Sequence, residues 1–311
     1  MHVESTALAR VRRFELAPAQ FLRVALASLA ALWLIVVTGA AVRLTDSGLG
    51  CRHWPGCEAG HPLPAKDYHA FVEFGNRLLG GVTIALTLVA LLAARRTPTL
   101  SPWARQLAAA IFAGALAQAP LGYLALKTDL RWQVVMAHLL LSMLLLAGAV
   151  VLALEAYGLR EGRSEPLVPV ELRRAGLVLA GAGLALLLSG AFATAAGPHS
   201  GGGEHVHRFA RLTPLLYAHA AVVGVFGCAF LFTLGYLAAR RDRSPRLFRL
   251  ALAVLALLLV QVALGEVQYR THLPWGLVLV HVAVAATVWA GIVTLVTLFW
   301  RPPAPLAPGP A

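Results

Sequence analysis

Charge is what this chain has least of. Asp, Glu, Lys and Arg make up 13% of its 311 residues, hydrophobic residues make up 59%, and mean hydropathy is +0.74. That balance excludes an ordinary soluble domain and fits an integral membrane protein. Cysteine is nearly absent: Cys51, Cys57 and Cys228 are the three. No second cysteine pair stands near Cys51 and Cys57, so a four-cysteine zinc site is excluded. There is no Asp-rich motif of the kind that holds magnesium and a diphosphate. Runs of about ten residues with apolar–polar alternation, which would mark a membrane β-barrel, are also missing. The first apolar run is longer than a signal-peptide core and ends at Arg43, so it is expected to be retained as a span.

What the chain has is long apolar runs. A bilayer-crossing helix needs about 20 such residues. Eight stretches qualify, at 21–42, 72–94, 104–124, 134–156, 174–196, 212–239, 247–268 and 276–299. Helices satisfy their own backbone hydrogen bonds, which lipid cannot do. The expected fold is all-α, an eight-helix membrane bundle of two pseudo-symmetric four-helix units. The expected organisation is a cytoplasmic tail at 1–20, a first half at 21–156, a polar linker at 157–173, a second half at 174–299 and a disordered Pro-rich tail at 300–311.

The net charge of +12 is distributed in a way that argues against nucleic acid. With the N-terminus inside, 17 of the 26 basic residues fall on the cytoplasmic side and 9 on the outer side. That asymmetry predicts an N-in, C-in topology in the plasma membrane. The basic loops then face anionic headgroups.

The chain repeats itself. Adding 143 to a position in the first half carries Asn76 onto His219, His138 onto His281, Gln118 onto Gln261, Gly122 onto Gly265 and Thr128 onto Thr271. Four spans return a chain to its starting side, so the halves are related by an axis along the membrane normal. Asn76, His138, His219 and His281 lie about 6–12 Å from the outer ends of spans two, four, six and eight, at 1.5 Å per residue. A histidine in a span is expensive and faces the bundle interior. Alone, it is accounted for by an interhelical hydrogen bond. Two at matched depth on alternate helices fit bis-histidine heme ligation, and His219 and His281 are such a pair.

His69, Glu73 and Asn76 share one helix face by their spacing. Glu73 suits proton transfer in apolar surroundings; it equally suits a favourable place in the first helical turn. Cys51 and Cys57, in GCRHWPGC, can form a disulfide outside the cytoplasm, or stand as free thiols or a metal pair. Cys228 reads as a small packing residue within span six. His199, His205 and His207 lie in a Gly-rich loop and could bind a metal; a solvated loop explains them more simply. Arg43, Arg77, Arg208 and Arg211, at the outer boundary, could pair with heme propionates or snorkel to headgroups.

Several segments match a known pattern. TGAAVRLTDSGLGCRHWPGC at 38–57, EFGNRLLGG at 73–81, GAFATAAGPHSGG at 190–202 and QVALGEVQYRTHLPWGLVLVH at 261–281 resemble motifs of the heme A synthase family. The resemblance covers nearly the whole chain between the tails. It implies oxidation of a heme O ring methyl to a formyl group by successive hydroxylations, for cytochrome oxidase. It implies heme b held by His219 and His281, substrate heme O on His138, catalysis involving Glu73, and a Cys51–Cys57 disulfide. Heme O synthase and an electron-transfer partner are the implied partners, and oligomerisation through Gly- and Ala-rich spans is open.

Asn76 departs from that pattern, because many family members carry histidine there. Asparagine is a poor iron ligand beside imidazole. The substrate iron is then five-coordinate on His138, or ligated by His69, or completed by a water held at Asn76. His69 is disfavoured, being two helical turns away, about 10 Å. Two other function classes remain. A diheme electron carrier would not need Glu73, and a heme transporter would need a polar path through the inner halves of the spans, which are nearly free of ionisable groups.

Overall fold

A computed structural model describes residues 15–60, 63–64, 66–199, 201–202 and 209–306. Among these residues the regular structure is helical: α1 Pro18–Leu44, α2 Tyr68–Arg95, α3 Pro102–Lys127, α4 Trp132–Glu161, α5 Val170–Ala196, α6 Leu212–Ala239, α7 Pro245–Arg270 and α8 Trp275–Trp300. All eight are long and apolar enough to cross a membrane, and the chain is a multi-pass membrane protein. The eight expected spans are all present. Most ends run a few residues further than the apolar windows, because helix boundaries follow backbone signals rather than hydropathy. Proline opens α1, α3 and α7, where its missing N–H costs nothing. Asp67 caps α2, its carboxylate accepting from the Ala70 N–H at 3.0 Å.

Helices α1 to α4 close a ring, with α1 packed on α4 and α2, and α3 on α2 and α4. Helices α5 to α8 close a second ring, in which α6 and α7 meet more loosely. Each ring has its own core, around Phe21, Ile111 and Leu146 in the first and Phe226, Phe230 and Phe299 in the second. Close approach depends on small residues. A methyl at Gly176 would lie 2.9 Å from the Phe299 ring, and one at Gly183 would lie 3.0 Å from Trp289.

Helix α8 joins the rings, packing on α1 and α4. Two indoles cross the joint. Trp289 donates to the Met143 carbonyl at 2.9 Å, and Trp33 donates to the Thr287 hydroxyl at 3.1 Å. A buried indole N–H needs such a partner, so these bonds set the register between halves.

At the end opposite the first loop, Glu155 is 2% exposed and takes two guanidinium groups, Arg163 at 2.6 Å and Arg301 at 2.6 Å. The Ser164 N–H donates to the Pro302 carbonyl, and the Ala304 N–H to Gly162. The tail expected to be disordered from residue 300 is thereby held against the linker through Leu306. The buried carboxylate supplies a tie that Pro-rich composition does not reveal. Cys228 is exposed on α6 rather than packed inside.

Candidate functional site

The site begins with two turns. Thr128-Asp129-Leu130 joins α3 to α4, and Thr271-His272-Leu273 joins α7 to α8. Asp129, Leu130, His272 and Leu273 all have left-handed backbone, with φ of 48°, 56°, 63° and 59°. Leucine in that region costs roughly 1–2 kcal/mol, so the same cost is carried twice, at positions 143 apart. The hydrogen bonds repeat as well: Leu130 N–H donates to Ala125 at 2.8 Å and Leu273 N–H to Gln268 at 2.7 Å. Each turn returns the chain directly and fixes where the following helix sits.

The returning helices carry His138 and His281 into the same cradle. Gln118 donates to the His138 carbonyl at 3.1 Å, and Gln261 donates to the His281 carbonyl at 3.1 Å. A glycine faces each ring. A methyl at Gly122 would lie 3.8 Å from His138 Cε1, and one at Gly265 would lie 3.4 Å from His281 Cε1. In both rings Nδ1 is buried without a hydrogen-bond partner among the described residues. Such an orphan costs about 1–3 kcal/mol, and orphans of this kind gather where a ligand completes a site.

In the second half, His219 comes from α6. Ser189 of α5 donates to the Leu186 carbonyl at 2.9 Å and meets His219 Nδ1 at 2.8 Å. With its proton committed to Leu186, the hydroxyl accepts from Nδ1–H. That leaves the Nε2 lone pair free, the tautomer a metal requires. Gly190 makes room for the ring, since a methyl there would lie 3.2 Å from Cε1. His219 is seated against Gly190 of α5 and His281 against Gly265 of α7, so the second half carries two imidazoles.

In the first half, the residue equivalent to His219 is Asn76, and its partner is Thr38 of α1. Thr38 Oγ1 donates to Asn76 Oδ1 at 2.8 Å and contacts the Ile35 carbonyl at only 3.5 Å. Asn76 and His138 make no direct hydrogen bond among the described residues. The face shared by His69, Glu73 and Asn76 is divided among three partners. His69 Nδ1 meets Ser47 Oγ at 3.0 Å, which ties that ring to the first loop. Glu73, 7% exposed, accepts from the Cys51 N–H at 2.7 Å and pairs with Arg77. The role of helix cap, open to Glu73 in the sequence, belongs to Asp67.

The first loop closes over this half. Cys51 and Cys57 form a disulfide. Arg77 donates to the carbonyls of His53 and Gly56, both at 2.6 Å, and Trp54 lies 5.8 Å from the Tyr123 ring of α3. Gly50 allows the close approach, because a methyl there would collide with the His69 backbone at 2.5 Å. The loop therefore spans from α2 to α3, pinned by Glu73 and Arg77.

A latch from the second half lies beside it. Arg43 donates to the Thr194 carbonyl at 2.6 Å and the His199 carbonyl at 2.9 Å. Gly48 N–H donates to the Gly201 carbonyl, and Gly201 N–H to Asp46. Gly201 has φ of +96° and passes close to Leu130, a course glycine permits. His199 Nε2 meets the Leu273 carbonyl at 2.8 Å. Arg43 and Arg77 are therefore engaged by backbone carbonyls rather than standing free for an anion, and His199 is a latch residue. Among the described residues, no group of three metal-binding side chains exists. His205, His207 and Arg208 lie outside the described residues; Arg211, at the start of α6, is exposed.

Two residues escape a reading by the 143-residue shift: Thr38 and Ser189. They are 151 apart rather than 143, because the loop after α1 is longer than the loop after α5. The shared signal is Thr-Gly-Ala at 38–40 against Ser-Gly-Ala at 189–191. A second signal, Thr-x-Leu-x-Trp at 128–132 and 271–275, marks the turns. Chemically, the second half offers two imidazoles, and the first offers one imidazole and one amide. The donor set fits iron porphyrin in both.

A family model described as cytochrome oxidase assembly protein matches residues 22–200, more than half of the chain. A heme A synthase of Shewanella oneidensis is 28% identical over 86% of this chain and 93% of its own length. A heme A synthase of Geobacillus thermodenitrificans is 34% identical over 34% of this chain and 33% of its own. One of Oceanobacillus iheyensis is 39% identical over 18% of each.

Proposed function

This chain belongs to the family of cytochrome oxidase assembly proteins, and from that premise we propose that it is a heme A synthase. It takes heme O as substrate and oxidises a ring methyl to a formyl group. Two hydroxylations of one carbon, each a two-electron oxidation, followed by loss of one water, carry the methyl to the formyl level. The observation that carries the reading is the duplicated Gln–Gly–His cradle, with a second imidazole added in one half alone.

In this reading His219 and His281 hold heme b, which supplies electron transfer when bound. Ser189 orients His219 through Nδ1, and Gln261 fixes the backbone that carries His281. His138 holds the substrate iron from one side. One ligand rather than two favours release of a molecule that must arrive and depart. Glu73 acts at the substrate and at the same time clamps the disulfide loop that keeps water from it. The linker and tail keep to the inner side, in the N-in, C-in sense, and both heme sites lie toward the outer face of the plasma membrane. Two features support that sense: the excess of arginine in the loops opposite the disulfide, and the oxidising compartment a persistent disulfide needs. Heme O synthase delivers the substrate, and a membrane electron-transfer partner exchanges electrons with the protein.

The test is co-expression with a source of heme O, followed by extraction of hemes. Heme A or its hydroxylated precursor is the expected product. Unchanged heme O from correctly folded protein would sink the assignment.

A further inference from the structure

Two hydroxyls occupy equivalent places in the halves and point their protons in opposite directions. Ser189 sends its proton to the Leu186 carbonyl, three residues back, at 2.9 Å. It is then an acceptor toward the α6 side chain, His219. Thr38 is 3.5 Å from the carbonyl three residues behind it, too far for a strong bond, and is 2.8 Å from Asn76 Oδ1. It is a donor toward the α2 side chain. The two outward-facing groups inherit opposite characters. Behind an acceptor hydroxyl, imidazole presents a lone pair. Behind a donor hydroxyl, the amide has its carbonyl occupied and presents Nδ2–H.

An Nδ2–H group cannot ligate a metal, but it donates hydrogen bonds. Thr38 is the hydrogen-bond partner of Asn76 among the described residues, so both Nδ2 hydrogens remain for a ligand. Asn76 is half-buried and packs toward Thr38 of α1, and a donor strengthens on loss of water. His69 does not compete, since its ring is exposed and bonded to Ser47. Glu73 and Arg77, its charged neighbours on α2, are bound to each other and to the first loop.

We propose that Asn76, oriented by Thr38, is a hydrogen-bond donor to a small oxygen-containing ligand of the substrate iron, and not a ligand of the iron itself. The chemical class is water, dioxygen or a diatomic analogue. The inference rests on the assignment of the first half as the heme O site and adds which group occupies the side opposite His138. Thr38 is a positioning residue in this scheme.

Carbon monoxide is the probe. Full-length protein loaded with heme O is reduced and exposed to carbon monoxide, and the C–O stretch is recorded by infrared spectroscopy. The bis-histidine heme of the second half does not take the probe, so the signal reports the first. In wild-type protein a donor lowers the stretch. Asn76→Leu is expected to shift it upward, and Thr38→Val to split it into two bands as the amide loses its fixed orientation. Asn76→His is expected to abolish the adduct and give a six-coordinate low-spin spectrum. A stretch unmoved by both Asn76→Leu and Thr38→Val overturns the proposal. If His138→Ala leaves heme O uptake and the adduct unchanged, the assignment of the first-half site falls instead. Asn76→His protein that still binds carbon monoxide with an unshifted stretch also counts against the role of Asn76. Asn76→Gln, which keeps the amide, controls for misfolding and is expected to retain part of the shift.

Discussion

The first half and the second half hold their returning-helix histidines in the same way and differ in what stands opposite. Gln118–Gly122–His138 and Gln261–Gly265–His281 share a bond of 3.1 Å from glutamine to the histidine carbonyl. Opposite His281 stands an imidazole backed by a serine; opposite His138 stands an amide backed by a threonine. The cradle also tightens from first to second half, from 3.8 Å at Gly122 to 3.4 Å at Gly265 and 3.2 Å at Gly190. The first half alone is covered by a disulfide loop. Duplication thus supplied one scaffold, and in the proposed function a few side chains turn one copy toward retention and the other toward exchange.

The sharpest way to break that comparison is to remove one histidine from each half. His281→Ala is expected to abolish retained heme in purified protein, measured as heme per polypeptide. His138→Ala should leave that ratio intact and prevent heme O uptake. Equal loss from both variants would mean the halves are not specialised.

Glu73 comes next. Glu73→Ala removes both the carboxylate and the anchor of the Cys51 N–H, and is expected to stop heme A formation while the second-half heme stays bound. Glu73→Gln keeps an acceptor for Cys51. If the group acts only by holding the loop, Gln should restore most of the product; if the charge itself is needed, Gln should resemble Ala. Heme extraction from the two variants side by side decides between them.

Smaller effects test the cradles. Gly190→Ala places a methyl 3.2 Å from His219, so the ring must give way by a few tenths of an ångström. Faster heme loss from the second half is expected, read by transfer to an apo-globin. Gly122→Ala meets His138 at 3.8 Å, ordinary contact, and should leave heme O uptake within about twofold, a change near 0.4 kcal/mol. The reverse order would contradict the tighter second cradle. The last effect is on stability rather than on heme binding. Opening the Cys51–Cys57 loop with Cys51→Ser and Cys57→Ser together should cost about 2 kcal/mol by loop entropy, seen as a lowered midpoint in thermal unfolding, with the second-half heme spectrum unchanged.

The helices and the repeat were legible because each has a large, local signal. Twenty apolar residues announce a span, and a histidine among them stands out against lipid. Gln118, Gln261, Gly122 and Gly265 came with the repeat, but the other supporting residues were not legible. Thr38 and Ser189 are ordinary small hydroxyls within apolar helices, separated by 151 rather than 143, so the shift that aligned the histidines passed them by. Arg43 reads as an interfacial charge; its partners are backbone carbonyls 151 and 156 residues away, which no periodicity encodes. Leu130 and Leu273 occupy left-handed backbone that no turn rule assigns to leucine. Glu155 is one acidic residue at the end of the fourth apolar run until Arg301 returns to it from the far end of the chain.

Arg43 also sets a clock. Its carbonyl partners, Thr194 and His199, are made 151 and 156 residues after it. At roughly 5–20 residues per second, the growing chain takes about 10–30 s to supply them. Throughout that interval the first four helices can be inserted and packed while the shared latch is still unmade. The newborn first half is therefore open along that rim, and its closure waits on synthesis of the half that will stand beside it.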